Sequence, residues 1–79
     1  MATPNKYNDA FLLMNMTDDE NEIVDFCQDC GINIDDRFNV NSGMHVVILD
    51  NQFFGMESRS SLVSLKSAIE RAYAHEDGN

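Results

Sequence analysis

Met44-His45-Val46-Val47-Ile48-Leu49-Asp50 is the most continuously apolar run in the chain, and its reading decides the fold. It is β-branched at its centre. Asn41-Ser42-Gly43 precedes it and Asp50-Asn51 closes it. A short apolar run bounded by turn residues predicts a strand covered on both faces. Downstream, Asp50-Asn51 suits a tight hairpin turn, and Gln52-Phe53-Phe54-Gly55-Met56 reads as a third strand. Upstream, Ile32/Ile34 and Phe38/Val40 are each spaced by two, which predicts one strand over Ile32–Val40, with a break near Asp35-Asp36 as the alternative.

Further out the period changes. Thr17-Asp18-Asp19-Glu20 fits a capping box, in which the Thr oxygen accepts from the backbone three residues on and the Glu reaches back. The helix it opens runs to about Cys30, where Gly31 can adopt the left-handed cap conformation. Ile23, Phe26, Cys27 and Cys30 form its inward stripe. Ser58–Ser61 supply N-caps for a last helix through about Ala74, with Leu62, Leu65, Ile69, Ala72 and Tyr73 on one face and Lys66, Glu70 and Arg71 outside. At the start, Thr3 as N-cap and Pro4 at the first helical position predict a helix that aligns Tyr7, Ala10, Phe11 and Met14. A strand over Ala10–Met16 competes with that helix. Residues 1–3 and 75–79 read as frayed ends.

The expected fold is therefore α+β, a single domain over residues 1–79 in ααβββα order, with a short three-stranded antiparallel sheet and helices packed on it. The αβββα portion resembles the topology of double-stranded-RNA-binding domains. That resemblance implies basic residues at the start of the last helix. Ser60, Ser61, Leu62 and Val63 stand there instead, with Arg59 alone before them.

Charge excludes that function more strongly. Fourteen acids face five Lys and Arg, for a formal net charge of −9. Such a surface repels nucleic acid and anionic membranes and speeds encounter with basic partners. No run approaches the roughly 18 apolar residues of a membrane span, and no apolar signal core opens the chain. A cytoplasmic protein with reduced cysteines is the expectation.

Eight of the acids lie between Thr17 and Asp36, a segment without Lys or Arg: Asp18, Asp19, Glu20, Glu22, Asp25, Asp29, Asp35 and Asp36. At about 100° per residue, Asp18, Glu22, Asp25 and Asp29 fall in one narrow helical stripe opposite Ile23 and Cys30. Acids in the first turn suit the helix dipole. The later ones do not, because Asp18/Glu22 and Asp25/Asp29 are like-charge pairs at i,i+4. Asp29 also sits near the negative end of the dipole. The stripe, extended by Asp35 and Asp36, is thus the candidate partner-binding site, and its target is a basic protein surface. In length and charge the chain resembles small acidic inhibitors of host-defence or nucleic-acid enzymes, common in phages. That likeness implies an inhibitor in a host cytoplasm whose carboxylates stand in for phosphates. Four charges over roughly 16 Å of helix match a strand's phosphate spacing of about 3.4 Å only in part.

Other patterns carry less. Cys27-Gln28-Asp29-Cys30 is a C-x-x-C, the basis of an alternative reading as a thiol or zinc protein. The pair closes a helix beside Asp25 and Asp29, which disfavours thiolate, and zinc would need His45 and His75 at a spacing no finger uses. Both cysteines are expected in the core. Asp35-Asp36…Asn39…Asn41 lacks the alternating ligands and central Gly of a calcium loop. Ser61-Leu62 lacks the preceding Asp of the acyl-carrier attachment motif. Nothing positions His45 beside a nucleophile. No enzyme activity, cofactor or metal is expected. A structural subunit binding through Phe11, Phe53 or Phe54 is the remaining alternative.

Overall fold

A computed structural model describes residues 5–55 and 58–77. Its elements are α1 (Asn8–Met14), α2 (Glu20–Asp29), β1 (Ile34–Asn39), β2 (Met44–Leu49), β3 (Phe53–Phe54) and α3 (Ser61–Asp77). The class is α+β, the order is the expected ααβββα, and the sheet is antiparallel with β2 central in the order β1-β2-β3.

Residues 8–14 are helical because Ala10 and Met14, one turn apart, both reach the core, whereas Leu12 and Met16 face water. Alternation would have buried the wrong set. Tyr7 is buried beside them, and Phe11 stacks on Tyr73 with ring centroids 4.2 Å apart. The expected cap residues Thr3 and Pro4 lie outside the described residues. Asn5 ties this end of the chain to the last helix, its side-chain amide donating to the Tyr73 carbonyl at 3.0 Å.

The start of α2 differs from expectation. Its N-cap is Asp19, whose carboxylate accepts from the Glu22 backbone N–H at 3.3 Å. Asp19-Glu20-Asn21-Glu22 repeats the capping-box spacing two residues after Thr17, and the later copy prevails. Thr17 instead accepts from the Asp19 N–H, and the Glu20 carboxylate accepts from the Ser61 hydroxyl at the head of α3. The other end is as expected. Gly31 sits at φ +79°, the Ile32 N–H donates to the Cys27 carbonyl and the Gly31 N–H to that of Gln28, a complete Schellman cap.

Ile32 is used up by this cap, so β1 begins at Ile34 and runs unbroken past Asp35 and Asp36. The β1–β2 hairpin closes over four residues. Asn39 accepts from the N–H groups of Asn41 and Ser42, and Gly43 supplies a positive φ of 70°. Asp50 and Asn51 make the second turn, both at positive φ, as the tight hairpin turn requires. Asp50 also clamps its surroundings. Its carboxylate accepts from the Tyr7 hydroxyl at 2.6 Å, Lys6 Nζ at 3.1 Å and the Asn33 N–H at 2.9 Å. Burial would raise this carboxyl, but those donors outweigh it and hold it below the ordinary aspartate value. The third strand is shorter than expected, two residues, and Met56 lies outside the described residues.

The main departure concerns β2. Register places Ile34, Asp36 and Phe38 on the same face as Leu49, Val47 and His45. Only this face meets the helices: Val47, Leu49 and Phe53 join Ile23, Cys27, Leu65, Ala68 and Ile69 in one core, which excludes Val46 and Phe54. All helical apolar stripes converge on one side, so the strand expected to be covered twice is covered once. On its other face Ile48 is buried outside that core, Met44 and Val46 are half-buried, and Phe54 of β3 is exposed.

Close approach of α3 depends on small residues. Ser64, Ala68 and Ala72 recur every four positions and are fully buried. The Ser64 hydroxyl donates to the His45 carbonyl at 3.0 Å, so its burial leaves no unmet polar group. Ser60 caps the helix by accepting from the Val63 N–H. The helix continues to Asp77, so His75, expected in a frayed tail, is helical and packs edge-on against Phe53. No helix among the described residues is long and apolar enough to cross a membrane.

Candidate functional site

The six candidate acids separate into two groups. Asp18 precedes α2 rather than extending its stripe. Lys66 of α3 reaches it at 2.7 Å, and that hydrogen bond and charge hold its carboxyl below the usual carboxylate range. Asp35 pairs with Arg37 at 3.1 Å, since residues two apart in a strand share a face. Asp36 meets His45 Nδ1 at 3.1 Å, across the diagonal that the Asp36–Val47 register creates. These three carboxylates have partners and are not brought together.

Glu22, Asp25 and Asp29 are brought together. They line a groove of about 510 Å³ between α1 and α2, with Asp19, Asn21, Leu13 and Phe26. Among the described residues, no ion pair reaches any of these three. The last turn of α2 carries no base. Four carboxylates therefore border one concavity, Asp19 at the helix N-cap and Glu22, Asp25 and Asp29 beyond it, and the seven positions from Glu22 to Asp29 span about 10 Å.

The groove is not uniformly polar. Leu13 and Phe26 are half-buried and form its apolar lining. The helical stripe predicts Phe26 in the core, and it does pack against the core while also lining this groove, whereas Leu13 belongs to no predicted stripe. A signal for Phe26 was present: it follows Glu22 by four residues and precedes Asp29 by three, so it must border the acidic stripe. Leu13 depends on how α1 leans on α2, which no local pattern encodes. An apolar lining inside a carboxylate rim can receive a side chain that carries both characters, such as the stem and head of Lys or Arg.

The cysteines lie in and against the core. Cys27 is fully buried in the core, and burial, with the neighbouring Cys30, pushes its thiol up to about 11. Cys30 is half-buried against the same core. Among the described residues, no three His, Cys, Asp or Glu side chains converge as metal ligands would. Of the phenylalanines named as an apolar contact, Phe53 is buried and Phe11 is stacked under Tyr73, leaving Phe54 exposed.

No family model matches the chain, and neither a curated protein nor a solved structure matches it.

Proposed function

We propose that this chain is a small, non-enzymatic protein-binding module that captures a basic amphipathic segment of its partner in the α1–α2 groove. The observation that carries this reading is the contrast within the candidate acids. Asp18, Asp35 and Asp36 are paired internally, whereas Glu22, Asp25 and Asp29 border one groove without a cation among the described residues. Like charges so placed repel one another at a cost to the helix, and a basic partner relieves that repulsion. Leu13 and Phe26 give the partner an apolar anchor.

Segments of that chemistry are what nucleic-acid-binding proteins present to phosphates. The consequence we propose is inhibition of such a protein by occupation of its basic surface. Glu22, Asp25 and Asp29, spread over about 10 Å of helix, imitate only a short phosphate run, so the contact is with one segment rather than a whole nucleic-acid channel.

The test is affinity capture from host lysate with three immobilised baits, washed at about 50 and about 500 mM salt. The baits are wild type, the groove variant E22Q/D25N/D29N and the control D18N/D35N/D36N. Wild type and control should retain the same basic nucleic-acid-binding protein and release it at high salt, and the groove variant should not retain it. Equal retention by all three would reduce the acidic helix to a solvated surface.

A further inference from the structure

We propose that the open face of the sheet is a self-association surface, on which a second copy of this chain packs face to face about a two-fold axis. The inference is independent of the acidic groove, which belongs to the helical layer.

Six large apolar side chains are exposed among the described residues, and two of them, Val40 and Phe54, line one groove of about 570 Å³ with Val46 and Ile48, while Phe38 at its edge belongs by register to the opposite face, beside His45. Scattered exposed apolar residues are ordinary, but a contiguous strip on a sheet marks a contact. Sheets that stack do so about 10 Å apart by interdigitating such strips.

Charge selects the occupant. No acid lines this groove although the chain carries a net charge of −9, and its one charged lining residue is Arg37. By register Arg37 shares the open face with Asp35, whose carboxylate it touches at 3.1 Å. The face is thus locally neutral and carries one charge of each sign beside an apolar strip. A two-fold axis sets Arg37 of each copy toward Asp35 of the other, so the surface is complementary to itself. A basic partner would meet Arg37 with repulsion, and an acidic one would meet Asp35. The remaining acids repel between copies, and salt screens that repulsion over about 8–10 Å. Self-association therefore strengthens with salt, opposite to capture in the acidic groove.

The experiment is sedimentation velocity of the full chain from about 10 µM to about 1 mM at low and high salt. A monomer–dimer equilibrium that tightens with salt is expected. V40E, in the exposed hairpin loop, should weaken it about 10-fold or more, as loss of an apolar contact and gain of like charges requires. R37D should weaken it comparably, and the swap D35R/R37D should restore it, with folding of each variant checked by circular dichroism. A wild type that stays monomeric throughout at high salt overturns the proposal. So does a dimer indifferent to V40E and to R37D, which would place the contact elsewhere.

Discussion

Replacing Asp29 by Lys should make the protein more stable while abolishing capture of its partner. Asp29 is the last residue of α2, exposed, and makes no ion pair among the described residues. Three increments follow from that position. Removing the i,i+4 repulsion with Asp25 gains about 0.2–0.5 kcal/mol, and the Asp25–Lys pair created in its place gains about as much again. A cation in place of an anion at the helix C-terminus adds about 0.3–1 kcal/mol. Together they give roughly 1–2 kcal/mol, which for a domain of 60–100 residues is about 4 to 16 °C in Tm. The assay is thermal unfolding followed by circular dichroism, in low and high salt, beside the capture experiment. Because every increment is a surface charge effect, the gain should shrink at high salt. A Tm lowered at both salts would mean that the carboxylate makes a structural contact, and the argument from unrelieved repulsion would fail. A raised Tm with undiminished capture would retain the energetics and remove Asp29 from the site.

Three further outcomes follow. Gly55→Ala should unfold the protein or lower its stability by about 3 kcal/mol or more, because a Cβ there would overlap the Ser64 carbonyl of the buried face of α3; a melting curve like wild type would show that α3 can retreat. Asp50→Ala should cost about 2–4 kcal/mol from its charge-assisted bonds and the positive φ it holds, and Asp50→Asn, which tolerates that φ, should cost less. The folded-state carboxyl of Asp50 lies below its unfolded value of about 3.9, so its contribution is complete above that pH and is lost as pH falls through the folded value. Urea midpoints at acid pH should therefore fall less steeply for Asp50→Asn, and parallel slopes would remove Asp50 from the acid response. A disulfide reagent at neutral pH should modify Cys30 before Cys27, which should react only on unfolding, given its burial and raised thiol pKa; rapid native-state labelling of Cys27 would revive the thiol reading.

The elements were legible where periodicity and punctuation agreed. β2 announces itself by four branched or long apolar residues between turns, and α2 ends at Gly31 because only that residue relieves the left-handed cap. The sequence was ambiguous where it repeated a signal: Thr17-x-x-Glu20 and Asp19-x-x-Glu22 both satisfy a capping box, and the choice was made by distant groups, Lys66 drawing Asp18 and Ser61 drawing Glu20. Tertiary pairing also divided the acids. The Asp35–Arg37 pair follows from strand periodicity and could have been read in advance. The Asp36–His45 contact needs the hairpin register, and the Asp18–Lys66 contact needs the docking of a helix 48 residues away. Continuous hydrophobicity in β2 did not distinguish a strand buried twice from one buried once, since the number of layers depends on where every other apolar stripe points.

The bond from Asn5 to the Tyr73 carbonyl spans 68 residues, and the Phe11–Tyr73 stack beside it spans nearly as many. The principal neighbours of α1 are α2 and α3. During vectorial synthesis α1 emerges before α3 and cannot complete its packing until α3 has been made. A helix of seven residues does not persist alone in water. Its formation is therefore coupled to closure of a loop of 68 residues between Asn5 and Tyr73, and closure entropy grows with loop length. The hairpin and its contact with α3 are sequence-local by comparison, so α1 is expected to settle after them.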